Sequence, residues 1–522
     1  FIARGGFKMR LFSFFKLIGF IRLVFAQDSL LPPDFKEKAP LWLKALRKVF
    51  TLGARKFDQD SRGVELSKKL QSLGPTYIKL GQSLATRPDI VGLKLAKDLQ
   101  YLQDSLPAFP MKVVEKLIID ELEQPVSELF DDFSEPVAAA SIAQVHKAKL
   151  KDGTPVAVKI LRPGIEQKLT TELSTFMFVA HMVEALIPAA RRLRPVEGVR
   201  TLWDSVRLEI DLRMEAAALS EMRENTLKDA KFDVPEVIWE ATARRVVTMH
   251  WSDGAKASDL ETLEAAGHDM QNLANRLIQA FLTHALRDGF FHGDMHQGNL
   301  LICPDGTFVA IDLGIMGRLD QNSRRFLAEI LYGFITRDYR RVAQTHFDAG
   351  YVPDSKSMEA FAQALRAIGE PIRGQDADSI SMGRVLTQLF EVTEQFDMHT
   401  QPQLLLLQKT MVVVEGVARS FDPKLNIWDA ADPVVSGWIK GELGPEAILK
   451  DAVDGMQRAA KSIGRLPDTL ERVERNQEQL EKILSDKGFK IHYEDEKKNT
   501  LKPILLITGL AVGGYLTYRI FQ

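Results

Sequence analysis

His292-Gly293-Asp294-Met295-His296-Gln297-Gly298-Asn299 and, thirteen residues past Asn299, Asp312-Leu313-Gly314 hold the side chains best suited to chemistry. The offsets let one loop carry Asp294 and Asn299 while the next strand-to-loop turn carries Asp312. Oxygen donors in this pattern suit Mg²⁺, which binds through one or two protein groups and shares phosphate oxygens. The chemistry implied is metal-assisted phosphoryl transfer from a nucleotide. Apolar runs at Leu300-Leu301-Ile302 and Phe308-Val309-Ala310-Ile311 read as the strands that set these loops.

Such a site also needs a cation on a strand to grip phosphates and a loop to cover them. Val156-Ala157-Val158-Lys159-Ile160 alternates so that the valines are buried and Lys159 turns to a cleft, 135 residues before Asp294. Fourteen residues before Lys159 ends Ala138-Ala139-Ala140-Ser141-Ile142-Ala143-Gln144-Val145. Protein kinases write these parts as G-x-G-x-x-G-x-V, V-A-I-K, H-R-D-x-x-x-x-N and D-F-G, and this chain resembles them. The three glycine positions are Ala138, Ala140 and Ala143, and the valine is Val145. Alanine resists φ > 0 and adds a methyl group, so the cover should be stiffer than a glycine loop. Leu208 to Ala217 reads as one helix, with Glu215 as the partner of Lys159, 56 residues on. Ordinary kinases use roughly 20 between these parts. The surplus, about residues 165–195, reads as an inserted helix from Leu169 to Leu193.

Motifs outside the kinase set narrow the resemblance. Lys79-Leu80-Gly81-Gln82 has the form K-x-G-Q, Glu209-Ile210-Asp211 the form E-x-D, and Ala138 to Ser141 an alanine-rich loop. On these residues, over roughly 60–345, the chain resembles the UbiB/ADCK (ABC1-type) family of atypical kinases. The resemblance implies an α+β, atypical protein-kinase-like bilobal fold that uses ATP and Mg²⁺. It implies that Lys79 and Gln82 face the nucleotide, on a helical extension covering the place where a protein substrate would enter. Their i and i+3 spacing lets both share one helical face. Glu209 and Asp211 are expected to meet this segment, and Lys79 could pair with either. Lys159 would bind phosphates with Glu215 orienting it, Asn299 and Asp312 would hold the metal, and Asp294 would be the catalytic base. Ala138 to Val145 would cover the nucleotide, with Ser141, Ile142 and Ala143 at its turn.

The family is linked to ubiquinone (coenzyme Q) biosynthesis. The resemblance therefore implies ATPase-like activity coupled to polyprenyl-phenol precursors, membrane lipid or other ubiquinone-biosynthesis proteins. Bacterial members have carried the label 2-polyprenylphenol 6-hydroxylase. This sequence offers nothing for that reaction: no G-x-G-x-x-G turn follows a strand, and Cys303 is the single cysteine. Two alternatives stay open. H-G-D-x-x-x-x-N also resembles aminoglycoside and choline kinases, small-molecule phosphotransferases that lack K-x-G-Q. A regulatory pseudokinase scaffold is the other, disfavoured by the intact metal positions.

The remaining composition sets bounds. At 522 residues, 45% hydrophobic, the chain can bury a large core, and a net charge of −2 gives no global footprint for nucleic acid. One cysteine leaves no intramolecular disulfide and suits a reducing cytoplasm. His146, His292 and His296 fit no zinc spacing.

Both ends point to a membrane. From Met9, a candidate start, to Ala26 the chain mixes aromatic and aliphatic residues with Arg10, Lys16 and Arg22. This reads as an interfacial helix on anionic lipid, with a signal peptide and a docked helix as rivals. Pro503 to Tyr518 is 16 uncharged residues between Lys502 and Arg519, and Leu501–Phe521 reaches 21. It reads as a transmembrane tail, with a buried terminal helix as the rival. Lys497, Lys498 and Lys502 place the catalytic domain on the cytoplasmic side of a bacterial inner membrane. Gly509 and Gly513 offer a face for self-association. The expected organisation is a basic interfacial segment (1–30), a helical extension with K-x-G-Q (31–130), an N-lobe with the inserted helix (131–255), a helical C-lobe (256–465), a polar helical linker (466–500) and the tail (501–522).

Overall fold

In the computed structural model, residues 62–85, 107–186, 195–373 and 402–443 are described, with isolated positions at 16–19, 22, 48, 99, 388, 392 and 395–398. The chain divides into two units, 1–441 and 442–522. Of the second, only the end of its first helix falls within the described residues. The polar linker and the tail with Gly509 and Gly513 lie outside them, as does nearly all of 1–30. Among the described residues, no helix is long and apolar enough to cross a membrane.

The helices α1 (Arg62–Leu73), α2 (Pro75–Ala85) and α3 (Met111–Leu122) lie before the first sheet. Gly74 separates the first two at φ +111, a conformation L side chains avoid. Pro75 then starts α2, where a missing N–H costs nothing. The strands β1 (Phe130–Ala139), β2 (Ala143–Leu150), β3 (Pro155–Leu161) and β5 (Val246–His250) form an antiparallel sheet in the order β1-β2-β3-β5. The alternation read from Val156 to Ile160 gives its two faces. Val156, Val158 and Ile160 join Ala148 and Val246 on one face and bury Val114, Leu117 and Ile118 of α3. Lys159 therefore points to the other.

The insertion is larger than the sequence suggests. It is a helical hairpin, α4 (Ile165–Leu186) and α5 (Pro195–Glu209), in place of a single helix from Leu169 to Leu193. The helix expected over Leu208–Ala217 is also broken. The backbone turns extended at Asp211, whose carboxylate accepts from Arg213 N at 3.2 Å and caps α6 (Leu212–Thr226). Leu212 N donates to Arg244 O at 2.8 Å, which ties the break to the turn before β5.

The second half is mainly helical, with short strands that frame the loops. A four-stranded sheet has the order β4-β9-β8-β6, from β4 (Phe232–Asp233), β6 (Ala255–Lys256), β8 (Leu300–Ile302) and β9 (Phe308–Ala310). β7 (Phe290–His292) pairs with β10 (Met316–Arg318). Behind them runs α7 (Met270–Thr283), whose Leu273, Leu277, Ile278 and Phe281 recur at helical spacing and are buried. The helices α8 (Gln321–Thr336), α9 (Tyr339–Asp348), α10 (Met358–Arg373), α11 (Pro402–Phe421) and α12 (Ile427–Leu443) follow. α11 packs along α7. The expected α+β architecture, with strands clustered before Asp312 and helices after it, is present.

Candidate active site

Strand register places the first cation. Val145 faces Lys159 across β2 and β3, and Val247 faces it from β5. The Lys159 Nζ donates to Glu215 Oε1 at 2.7 Å and to Asp312 Oδ2 at 2.9 Å. Burial opposes charge on Lys159, but Asp312 and Glu215 overcome it and hold the ammonium protonated well above the usual lysine value. Burial works in the other direction on Glu215: it pushes the carboxyl up to about 7 against the pull of Lys159, and the Asp312 charge adds to the push. Asp312 stays far below the ordinary carboxylate value despite its burial, because Lys159 pairs with it and Gly314 N donates to Oδ1 at 3.0 Å.

The catalytic loop is built on close backbone contacts. A Cβ at Gly293 would lie 2.9 Å from Ile315 Cγ2 and 3.1 Å from Ile315 O. An arginine, usual in protein kinases at this point of the motif, has no room here. His292 is buried, and its Nδ1 accepts from Asp294 N at 3.0 Å. Burial lowers it to about 4, so the imidazole is neutral near pH 7. Asn299 Nδ2 donates to Asp294 O at 3.1 Å, and Ile311 N donates to Asn299 O at 3.0 Å, which links the loop to the strand leading into Asp312. The Asp294 carboxylate meets Lys409 Nζ at 3.3 Å and lies 3.9 Å from His296 Nε2. Although burial raises it, Lys409 and the two histidines keep Asp294 below the usual carboxylate range.

The donor set fits a hard cation shared with phosphate. With Asn299 Nδ2 committed to the backbone, Oδ1 is the atom left to ligate, and Asp312 supplies an ionised carboxylate. Among the described residues, no cluster of three or more His, Cys, Asp or Glu forms a metal cage. A site for Mg²⁺ does not need one, because phosphate and water complete its octahedron.

The alanine-rich segment is a tight turn. Ala138 and Ala139 end β1, Ala140 N donates to Ala143 O at 2.8 Å, and Ser141, Ile142 and Ala143 are buried. Arg162 grips it from β3: Nε and Nη2 donate to Ala140 O at 3.0 and 2.8 Å, and Nη1 donates to Pro107 O at 2.8 Å. Gln144 reaches the same neighbourhood, accepting from Phe109 N at 2.9 Å.

On α2, Lys79 Nζ lies 2.6 Å from Glu209 Oε2 at the end of α5, with both side chains largely buried. The Glu209 charge adds to the upward push on Glu215, so this pair stands within electrostatic reach of Glu215. Thr76 hydrogen-bonds buried Glu172 of α4, and Tyr77 and Ile78 are fully buried. Gln82 is half-buried on the same helix. Asp211 departs from expectation: its carboxylate turns to Arg213, with Nε at 2.9 Å and Nη2 at 2.7 Å, because it serves as the cap of α6. The structure thus unites Lys159, Glu215 and Asp312, joins Asp294 to Asn299, and pairs Lys79 with Glu209.

Arg162 and Lys409 escaped the sequence reading. Neither lies in a motif, and a lone Arg or Lys after a strand or on a helix is normally solvated. Thr410, whose Oγ1 donates to Gly293 O at 2.9 Å, carried no signal either.

The ABC1 atypical kinase-like domain matches residues 101–346, and the UbiB helical domain matches 365–426. A relative from Shewanella piezotolerans, named probable protein kinase UbiB, is 35% identical over 499 residues, 93% of this chain and 90% of its own. The chain belongs to the UbiB family. A Pseudomonas putida member with the same name is 38% identical over 441 residues, 83% of this chain and 82% of its own. A Mycobacterium tuberculosis protein, Rv3197 solved with erythromycin, aligns with a TM-score of 0.50 at 23% identity, covering 76% of this chain and 97% of that one. That likeness concerns the fold alone. In UbiB-family terms, the first matched domain holds Lys159, Glu215, Asp294, Asn299 and Asp312, and the helical domain holds Lys409.

Proposed function

We propose that this UbiB-family chain is a membrane-anchored atypical kinase or ATPase that uses Mg-ATP in support of ubiquinone biosynthesis. It would act on, or mobilise, polyprenyl-phenol intermediates or the proteins that process them. The observation that carries the reading is the buried Lys159–Glu215–Asp312 triad, linked through Ile311 and Asn299 to Asp294.

In this reading Glu215 holds Lys159 in place to meet phosphate oxygens. Asp312 and Asn299 would hold Mg²⁺, which when bound would neutralise charge on the nucleotide phosphates. Asp294, ionised and fixed by its loop, accepts the proton of the attacking hydroxyl. The turn at Ala140 covers the nucleotide with little freedom, since Arg162 ties down its carbonyl. The Lys79–Glu209 pair supports a lid that keeps a protein substrate out and leaves water or a small lipid headgroup as acceptor. The anchor rests on Met9 to Ala26 and Leu501 to Phe521, and the cytoplasmic placement of the catalytic domain on Lys497, Lys498 and Lys502.

The test is phosphate release from Mg-ATP by the full chain in vesicles, with and without a polyprenyl-phenol, using Asp312→Asn as the blank. Lipid-stimulated release that disappears in the variant is expected. Wild-type ATP affinity and turnover in Asp312→Asn would overturn the metal assignment, and a phosphorylated small product would point to the phosphotransferase alternative.

A further inference from the structure

Lys409 is the cation that meets the Asp294 carboxylate, and it comes from another part of the chain. It lies 115 residues downstream on α11, inside the matched helical domain. The catalytic loop, 292–299, contains no lysine or arginine of its own. Lys159 is held by two carboxylates.

The approach of α11 is anchored on both sides of this contact. Thr410, fully buried, donates to Gly293 O at 2.9 Å, one residue before Asp294. Gln297 Nε2 donates to Ser420 Oγ at 2.7 Å, further along the helix. Leu406 Cδ1 would lie 3.3 Å from a Cβ placed on Gly293, so α11 packs closely on the loop backbone. The backbone beside Lys409 is therefore set by the loop it serves. The Asp294 and Lys409 side chains are 30% and 25% exposed, so the pair is shielded enough to matter more than a surface ion pair. Its length of 3.3 Å and single carboxylate oxygen describe an orienting contact, and it uses one of three ammonium donors.

We infer that Lys409 is a positioning residue: the helical domain supplies it to hold the Asp294 carboxylate in direction for the phosphoryl-transfer step. This rests on the proposed reading of Asp294 as base. In that step the acceptor oxygen forms a bond to the γ-phosphorus as its proton passes to Asp294. The bond from the γ-phosphorus to the bridging oxygen breaks, and its electron pair leaves with ADP. A carboxylate free to rotate would miss the proton while nucleotide binding stayed intact. The helical domain is then part of the catalytic apparatus, and a shift of α11 would reach the reacting centre directly.

The experiment compares kcat, KM for Mg-ATP and melting temperature of the full chain in vesicles for wild type, Lys409→Met, Lys409→Arg, Asp294→Asn and the double variant. Slow variants are read by single-turnover release of labelled phosphate. Lys409→Met is expected to lose about tenfold or more in kcat with KM and melting temperature unchanged. Lys409→Arg should recover much of the loss. In the Asp294→Asn background, Lys409→Met should change kcat by less than about twofold, because its effect runs through Asp294. Full additivity in the double variant would overturn the inference, as would a loss of melting temperature that Lys409→Arg shares. Wild-type kcat in Asp294→Asn would instead sink the reading of Asp294 itself, a result distinct from additivity.

Discussion

Glu215 shows how a site can be read from residue type while its energetics cannot. Its spacing from Lys159 is visible in the chain, but its burial, its second neighbour Asp312 and the nearby charge of Glu209 come only with the fold. Removing one member of a buried charge set leaves the others without compensation, which costs more than the set contributes as a whole. Lys159→Met should therefore lower stability by about 3–5 kcal/mol, with Glu215 and Asp312 left side by side without their cation. Equilibrium denaturation checks this, and a loss under about 1 kcal/mol, the range of surface pairs, would mean the site is wetter than it looks. Gly293 illustrates the converse. The sequence shows that a glycine follows His292, but the reason, Ile315 filling the space of a side chain, is purely tertiary.

The alanine-rich turn is the element where local sequence and fold act together. Three alanines in glycine positions predict stiffness. Arg162, which no motif marks, adds a clamp of two hydrogen bonds on one carbonyl. Ala140→Gly should loosen the turn and shift the ratio of ATP to ADP affinity, and Arg162→Met should move the ratio in the same direction by releasing the same carbonyl. Titration with both nucleotides decides it, and unchanged ratios in both variants would show that the turn does not set nucleotide choice. The inserted hairpin is the element the sequence reading got partly wrong. Its first helix is visible in the sequence; its second is not read as a helix of its own, and only its last two residues, Leu208 and Glu209, are joined to α6, because Ile210-Asp211 breaks a helical pattern through a cap and a bond to Arg244 that periodicity does not reveal.

At the scale of the whole molecule, three histidines among the described residues, His146, His292 and His346, are pushed below their ordinary value of 6.5 by burial. The unfolded chain takes up their protons below about 6.5, whereas folded His292 waits until about 4. The unfolded state binds more protons in that window, so stability should fall as the pH drops from 6.5 towards 4. Glu215 acts with the opposite sign: raised from 4.5 to about 7, it contributes stability that is lost as pH rises through 7. Glu415, also raised by burial, acts with the same sign as Glu215; the three histidines outnumber these two carboxyls, and the net slope should follow them. Melting temperature against pH measures it, and a flat profile from pH 6.5 to 4.5 would show that these imidazoles are not held neutral.

By itself the sequence determined the chemistry available and its order along the chain: Lys159, Glu215, Asp294, Asn299 and Asp312 stand at offsets that one strand, one helix and two loops can carry. It also set the alternation that turns Lys159 away from α3, because side-chain direction in a strand depends only on the neighbouring residue's parity. Tertiary structure alone decided which groups meet from a distance. Lys409 reaches Asp294 across 115 residues, Lys79 finds Glu209 and not Asp211, and Arg162 holds Ala140. Periodicity reports which face of an element is buried, but contacts between elements depend on packing angles and backbone breaks that no local pattern encodes.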